Sequence, residues 1–305
     1  MRYLHLIIAG LHPEPGPSRA ELLEGMPALK TLLTRGRRFS GEFALSPAQR
    51  LARFTPPDSQ HTVALAPIRL AHEGLDASRP GWLCADPVHL RLMRDHILLG
   101  DAHTFELDAT EARALVDGLN EHFRERVEFV AVTPDRWYAR LATPLDGSSD
   151  PLDAHLARPV EAGAGSSSAA RDLARLGNEV QMYLHQHPVN AAREARGADP
   201  VNSVWFWGGG EVLRPVVPAV AMLGESFLAE AVAAAGSVPY LPLNACAARL
   251  ADKHDSALLY IDSLHAPASY GQYPVLRQRL LELETGVFQP LLAGLRRGRI
   301  ETAIV

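Results

Sequence analysis

Residues Asn202–Val212, NSVWFWGGGEV, drive a strand-like apolar run into three consecutive glycines. Alternation along the run puts Trp205 and Trp207 on one face, where they pack together against a covering helix. Glycines at a strand end let the backbone approach a ligand closely, and a helix that follows can offer free N–H groups to an anion. The same run also serves as an ordinary tight turn. No Gly-Lys-Ser or Gly-Lys-Thr follows, the spacing is not Gly-x-Gly-x-x-Gly, and Glu211 beside the glycines repels phosphate. The turn is the preferred reading, with ligand contact kept open.

Working outward, the segment before this strand, PVNAAREARGADPVN, offers Asn190, Arg193, Arg196 and Asn202. Arginine forks onto phosphate or carboxylate, and asparagine can fix the orientation; the plain alternative is a solvated helix end. Upstream, RDLARLGNEVQMYLHQH keeps helical spacing through Leu173, Leu176, Val180 and Leu184 until Pro188 ends or bends it. His185 and His187, two apart on a helix, point about 200° apart and do not grip one ion. Downstream, AVAMLGESFLAEAVAAAG reads as helix and SALLYIDSLH as a buried strand. VLRQRLLELETGVFQPLLAGLRRG reads as one long amphipathic helix, and IETAIV as a final strand.

At the other end, Arg2–Leu11 is a nearly continuous apolar run suited to a central parallel strand, and ELLEGMPALKTLLTRG follows as a helix closed by Gly36. Between Pro80 and Leu145, WLCADPVHLRLM, HTFEL, VEFVAV and RWYARL read as strands around the helix DATEARALVDGLNEHF, which Asp108 or Thr110 caps. Residues 142–170 are rich in proline, glycine, aspartate and serine and read as a flexible connection. The expected fold is α/β, a core sheet with helices on both faces interrupted by a smaller α+β insert. Its expected parts are core residues 1–80, insert 81–145, linker 146–170 and core 171–305.

The 305 residues allow a large core, and 47% hydrophobic with 21% charged residues fits a soluble globular chain. A net charge of -5, with no basic tract, argues against nucleic acid. Only Cys84 and Cys246 are present, which gives neither a disulfide framework nor a metal pair and points to the cytoplasm. The opening apolar run is too short for a signal peptide or a membrane span. His254, Asp255, Asp262 and His265 gather around SALLYIDSLH, and Asp262 lies close to the strand end where α/β sites collect. That set can bind metal or simply be solvated. No Gly-x-Ser-x-Gly and no His-Glu-x-x-His occurs.

In order along the chain, YLHLIIAGL, MPALKTLLTRG, FTPPDSQ, LDATEARALVDGLNEHF and VEFVAVTPDRWYARL resemble stretches of the archaeal-type cofactor-independent phosphoglycerate mutases of the alkaline phosphatase superfamily. The most specific stretch is HPVNAAREARGADPVNSVWFWGGG, which resembles that family's N-x-x-R-x-x-x-G-x-x-P-A-N-x-I-W-L-W-G-x-G. The resemblance implies an alkaline-phosphatase-like core, with Ser59 in the place of the nucleophile. It implies Asn190, Arg193 and Asn202 as ligand contacts, with Arg140 of the insert facing them across an interdomain cleft.

Those enzymes use two divalent cations held by aspartates and histidines, and here the ligand positions depart. Ala9 stands where the first strand carries aspartate, and His265 and Ser269 of HAPAS stand for the aspartate and histidine of D-x-x-G-H. The same departures, with WLCADPVHL, make the chain similar to the bacterial offshoot grouped as regulatory protein RpfE. The expectation is a cofactor-free regulatory or ligand-binding protein for a phosphorylated or carboxylated metabolite, or for a protein partner. The alternative is an active phosphomutase or phosphatase that holds manganese, magnesium or zinc on His254, Asp262 and His265, with Ser59 as nucleophile.

Overall fold

The computed structural model describes residues 3–11, 16–35, 45–56, 63–94, 96–145, 150–160, 168–243 and 256–304. In chain order its elements begin with β1 (Tyr3–Ile8), α1 (Arg19–Leu22), α2 (Pro27–Arg35), α3 (Pro47–Ala52) and α4 (Leu65–His72). Next come β2 (Trp82–Leu92), β3 (Ile97–Gly100), α5 (Ala109–His122), β4 (Val127–Ala131), β5 (Trp137–Leu141) and β6 (Pro159–Val160). Then follow α6 (Ser168–His185), α7 (Pro188–Ala195), β7 (Ser203–Trp207), β8 (Met222–Gly224), α8 (Phe227–Ala235) and β9 (Tyr240–Pro242). The last are β10 (Ser256–Ile261), α9 (His265–Ser269), α10 (Tyr273–Leu283), α11 (Gln289–Arg296) and β11 (Thr302–Ile304). No described helix is long and apolar enough to cross a membrane.

Two compact units form, Met1–Asp58 with Arg214–Val305, and Ser59–Leu213. These boundaries differ from the expected ones at 80/81 and 145–170. β7 pairs antiparallel with β2 from Cys84–Trp207 to Val88–Ser203, so the strand holding the two tryptophans belongs to the second unit's sheet. Within the expected linker, β6 pairs with β3 of the second unit's sheet.

The first unit is a parallel sheet in the order β11-β1-β10-β8-β9. β1 is central because Leu4 and Leu6 meet Leu259, Ile261 and Leu223 on one face, where Leu29, Leu276, Leu280, Phe288 and Leu291 cover them. Alternation sends Met222, Leu258 and Tyr260, all buried, to the other face. The connections from β10 to β11 and from β8 to β9 run in opposite directions along the sheet. Right-handed crossovers therefore put α10–α11 and α8 on opposite faces. The carboxyl ends of β10 and β8 are thus a topological switch point.

Several elements depart from the sequence reading. The expected helix from Glu21 to Gly36 is broken, because Gly25 takes a positive φ of 79° and Pro27 restarts the chain as α2; Gly36 lies outside the described residues. AVAMLG is not helix: Met222–Gly224 is a strand, and the helix begins only after Ser226, whose side chain caps Ala229 N–H at 3.3 Å. HTFEL is a turn in which Asp101 takes the His103 N–H at 3.1 Å. The long final helix contains a π turn, Glu284–Phe288, because Pro290 has no N–H for the carbonyl four residues earlier. That turn aims Glu284, 1% exposed, at α2, where its carboxylate accepts Ala28 N–H at 2.8 Å and Leu29 N–H at 2.9 Å.

The second unit is an antiparallel sheet, β4-β5-β2-β3-β6, with β7 along β2. One face carries Leu83, Ala85, Phe129, Trp137, Ala139 and Phe206 against the apolar stripes of α5 and α6. Asp108 caps α5 through Thr110 and Glu111 N–H, both at 2.8 Å. The other face carries Trp82, Cys84, Asp86, Tyr138, Arg140 and Trp207, and α4 lies on it through Arg69.

Candidate functional site

The glycine run closes against the start of α4. Gly208 has φ 74°, its carbonyl accepts Ala66 N–H at 2.8 Å, and a Cβ there would lie 3.1 Å from Ala66 N. The Glu211 carbonyl accepts Ala64 N–H at 3.3 Å. A Cβ on Gly209 would lie 2.3 Å from the Leu83 side chain, whereas Gly210, φ 128°, faces open space. The Ala64 and Ala66 N–H groups at the start of α4 are therefore taken by backbone carbonyls. Gly208 is glycine because the turn touches the helix and Gly209 because it lies against the Leu83 side chain of β2, whereas Gly210 faces open space.

Below this turn lies a buried polar network that local sequence spacing does not reveal. Arg69 (5% exposed) forks onto Asp86 (4% exposed) at 2.9 and 2.5 Å. Its Nε donates to Tyr138 OH at 2.8 Å, and that hydroxyl donates to Glu73 at 3.0 Å. Glu73 also receives Arg136 at 2.8 Å, and Trp207 Nε1 donates to Asp86 at 2.8 Å. Trp207 is thus buried and Trp205 half-buried, on one face as expected. Burial pushes the Cys84 thiol and the Tyr138 phenol far up, so neither ionises near neutrality. The one available signal was Asp86 on the same strand face as Cys84, a polar residue in an otherwise apolar row.

The four expected ligand contacts all lie in this second unit, and each is engaged within it. Arg193, 1% exposed, donates to Asp199 O at 2.8 Å, Glu111 at 2.5 Å and Glu106 O at 2.6 Å. Asn190 donates to Leu184 O and Val201 O, both at 2.8 Å, and accepts Val201 N–H at 2.9 Å. Asn202 extends the β2–β7 ladder, accepting Leu90 N–H at 2.7 Å and donating to Leu90 O at 2.9 Å. Arg140 meets its cross-strand partner Glu128 at 3.0 and 2.9 Å. These contacts shape the loops before β7 and tie β5 to β4.

Ser59 and His254 lie outside the described residues, as does Asp255. Asp262 and His265 sit in the turn after β10, where Asp262 O accepts His265 N–H at 2.8 Å. Ala9 donates its N–H to Ile261 O at 2.9 Å, and Gly10, φ 81°, is so close to the turn that a Cβ would lie 2.4 Å from Leu264 O. Nearby, Arg279 pairs with Glu225, with Glu282 at 2.8 Å and with Ser263 Oγ at 3.2 Å. Burial, with Asp262 and the glutamates adding to it, raises the Tyr240 phenol, which donates to Ser226 O at 3.2 Å. Among the described residues no three His, Cys, Asp or Glu side chains converge in a way that could hold a metal ion. The donors described at this sheet end do not fit a two-cation centre, which needs several anionic ligands around each ion.

Two histidines supply a pH dependence. Burial holds the imidazoles of His187 and His155 below their ordinary range. His187 also uses Nδ1 to accept Val189 N–H at 3.3 Å at the start of α7, and His155 packs on Trp205 with ring centroids 4.7 Å apart. With folded values lowered, the unfolded chain binds more protons as pH drops below about 6.5. Stability contributed above that pH is then lost as the pH falls through the folded values. Melting temperature is expected to fall between pH 7.5 and 5.5, and to fall less in a His155→Gln/His187→Gln double variant; equal slopes would refute the assignment.

The fold and site define a parallel α/β unit interrupted by an α+β unit. No protein-family model matches the chain, and no curated protein does. Among solved structures the chain is similar to a cofactor-independent phosphoglycerate mutase from Thermoplasma acidophilum DSM 1728. That likeness has 16% identity over 96% of this chain and 84% of that one, with a TM-score of 0.39. It is also similar to the PH0037 protein from Pyrococcus horikoshii, at 16% identity over 93% of this chain and 78% of that one, with a TM-score of 0.45.

Proposed function

We propose that the chain is a phosphoglycerate-mutase-like protein of the alkaline phosphatase superfamily whose two-metal site is degenerate. In this reading it binds a phosphorylated or carboxylated metabolite, or a protein partner, in a regulatory role of the RpfE type in the cytoplasm. The observation that supports it most is the end of β1. Ala9 offers no ligand atom from its side chain, and Gly10 is held against the Leu264 carbonyl, so this strand end presents no anion to a cation.

The test uses the purified full chain, elemental analysis and a 3-phosphoglycerate interconversion assay with added manganese. The expected result is no turnover above background, together with saturable thermal stabilisation by 3-phosphoglycerate. Metal-dependent turnover that disappears in Ser59→Ala would overturn the reading in favour of the active phosphomutase or phosphatase.

A further inference from the structure

All four tryptophans lie in the unit Ser59–Leu213, and three have a partner for the indole N–H. Trp137 donates to Pro134 O at 2.9 Å, Trp205 to Asp150 O at 2.9 Å and Trp207 to Asp86 at 2.8 Å. Trp82, 8% exposed, has its Nε1 buried with no hydrogen-bond partner. Native proteins seldom leave a buried donor unpaired, so an acceptor is expected there.

The neighbours suggest which acceptor. Trp82 and Arg140 are Cα partners on β2 and β5, so their side chains leave the same sheet face side by side. Arg140, with a side chain 17% exposed, commits Nε and Nη2 to one oxygen of Glu128. Its Nη1 makes no hydrogen bond among the described residues. Arg79 reaches the same Glu128 oxygen at 3.5 Å, so two guanidinium groups surround one carboxylate and a positive charge is left over. On the other flank, Gly209 lies against the Leu83 side chain, and a Cβ there would lie 3.5 Å from Trp82 O. Gly210 beyond it faces open space. Two neighbouring N–H donors and a surplus cation describe a place for a small anionic acceptor.

We propose that Trp82 Nε1 and Arg140 Nη1 bind the oxyanion group, carboxylate or phosphate, of a small ligand. This deepens the proposed function, on which it rests only for the class of ligand.

The test follows the four indole N–H resonances of the 15N-labelled full chain, with Trp82 assigned through Trp82→Phe, during separate titrations with inorganic phosphate and malonate. A saturable shift of the Trp82 resonance alone is expected with at least one anion, and which anion acts distinguishes phosphate from carboxylate. Arg140→Gln is expected to weaken it at least tenfold and Arg140→Lys, which keeps the charge, less. A Trp82 resonance unmoved by both anions, or moved equally in Arg140→Gln, would overturn the site. Metal-dependent turnover would defeat the regulatory reading yet leave this shift intact, so the two failures are distinguishable.

Discussion

Replacing Asp86 by alanine is expected to lower the stability of the Ser59–Leu213 unit by about 3–5 kcal/mol, the cost of leaving a buried guanidinium without its counter-charge. Arg69 is 5% exposed and donates two hydrogen bonds to this one carboxylate, and Trp207 loses its acceptor in the same step. Urea unfolding followed by tryptophan fluorescence reads this unit selectively, because every tryptophan lies in it. A paired Arg69→Met/Asp86→Leu variant, which removes both charges, is expected to recover much of the loss. A single-variant loss below about 1 kcal/mol, the range of an exposed pair, would mean the network does not hold the sheet to α4.

Arg193→Ala is expected to cost about 3 kcal/mol, because the substitution empties a site 1% exposed and takes the donor away from the acceptors at Glu106, Glu111 and Asp199. Arg196 also reaches Glu111, at 2.6 Å, but its side chain is 53% exposed, and Arg196→Ala is expected to cost less than about 1 kcal/mol. The comparison is made in the absence of any metabolite. If Arg193→Ala melts with the wild type and loses only ligand-induced stabilisation, Arg193 acts on a ligand; an early melt without ligand assigns it to the scaffold.

Much of the scaffold was legible where a single physical signal dominated. The apolar runs of β1 and β10, the cap at Asp108 and the stop at Pro188 each follow from local chemistry. Elements too short to show a period were not legible. β8 is a three-residue strand beside alanines that favour helix, and β3 is four residues inside a hairpin. The two compact units divide the chain elsewhere than the expected boundaries, because loop composition says nothing about which sheet the following strand joins. For the site, residue type marked Arg193, Asn190 and Asn202 and the family resemblance added Arg140, but the structure also gives them internal partners. Arg69 and Asp86 went unmarked because a helix–strand ion pair leaves no spacing rule. Trp82 was unmarked because only the absence of an acceptor distinguishes it from the other tryptophans.

The carboxylate that caps α2 comes from Glu284, in the segment after the intervening unit. At roughly 5–20 residues per second on the ribosome, Glu284 is made about 10–50 s after Ala28. For most of that interval, until β10 is made, β1 lacks both of its neighbours, β10 and β11, and carries two open edges of the kind that recruit foreign strands. The Ser59–Leu213 unit, unbroken in sequence, can finish folding meanwhile. The nascent chain therefore carries a finished middle and an exposed beginning, and chaperone demand should fall on the first sixty residues.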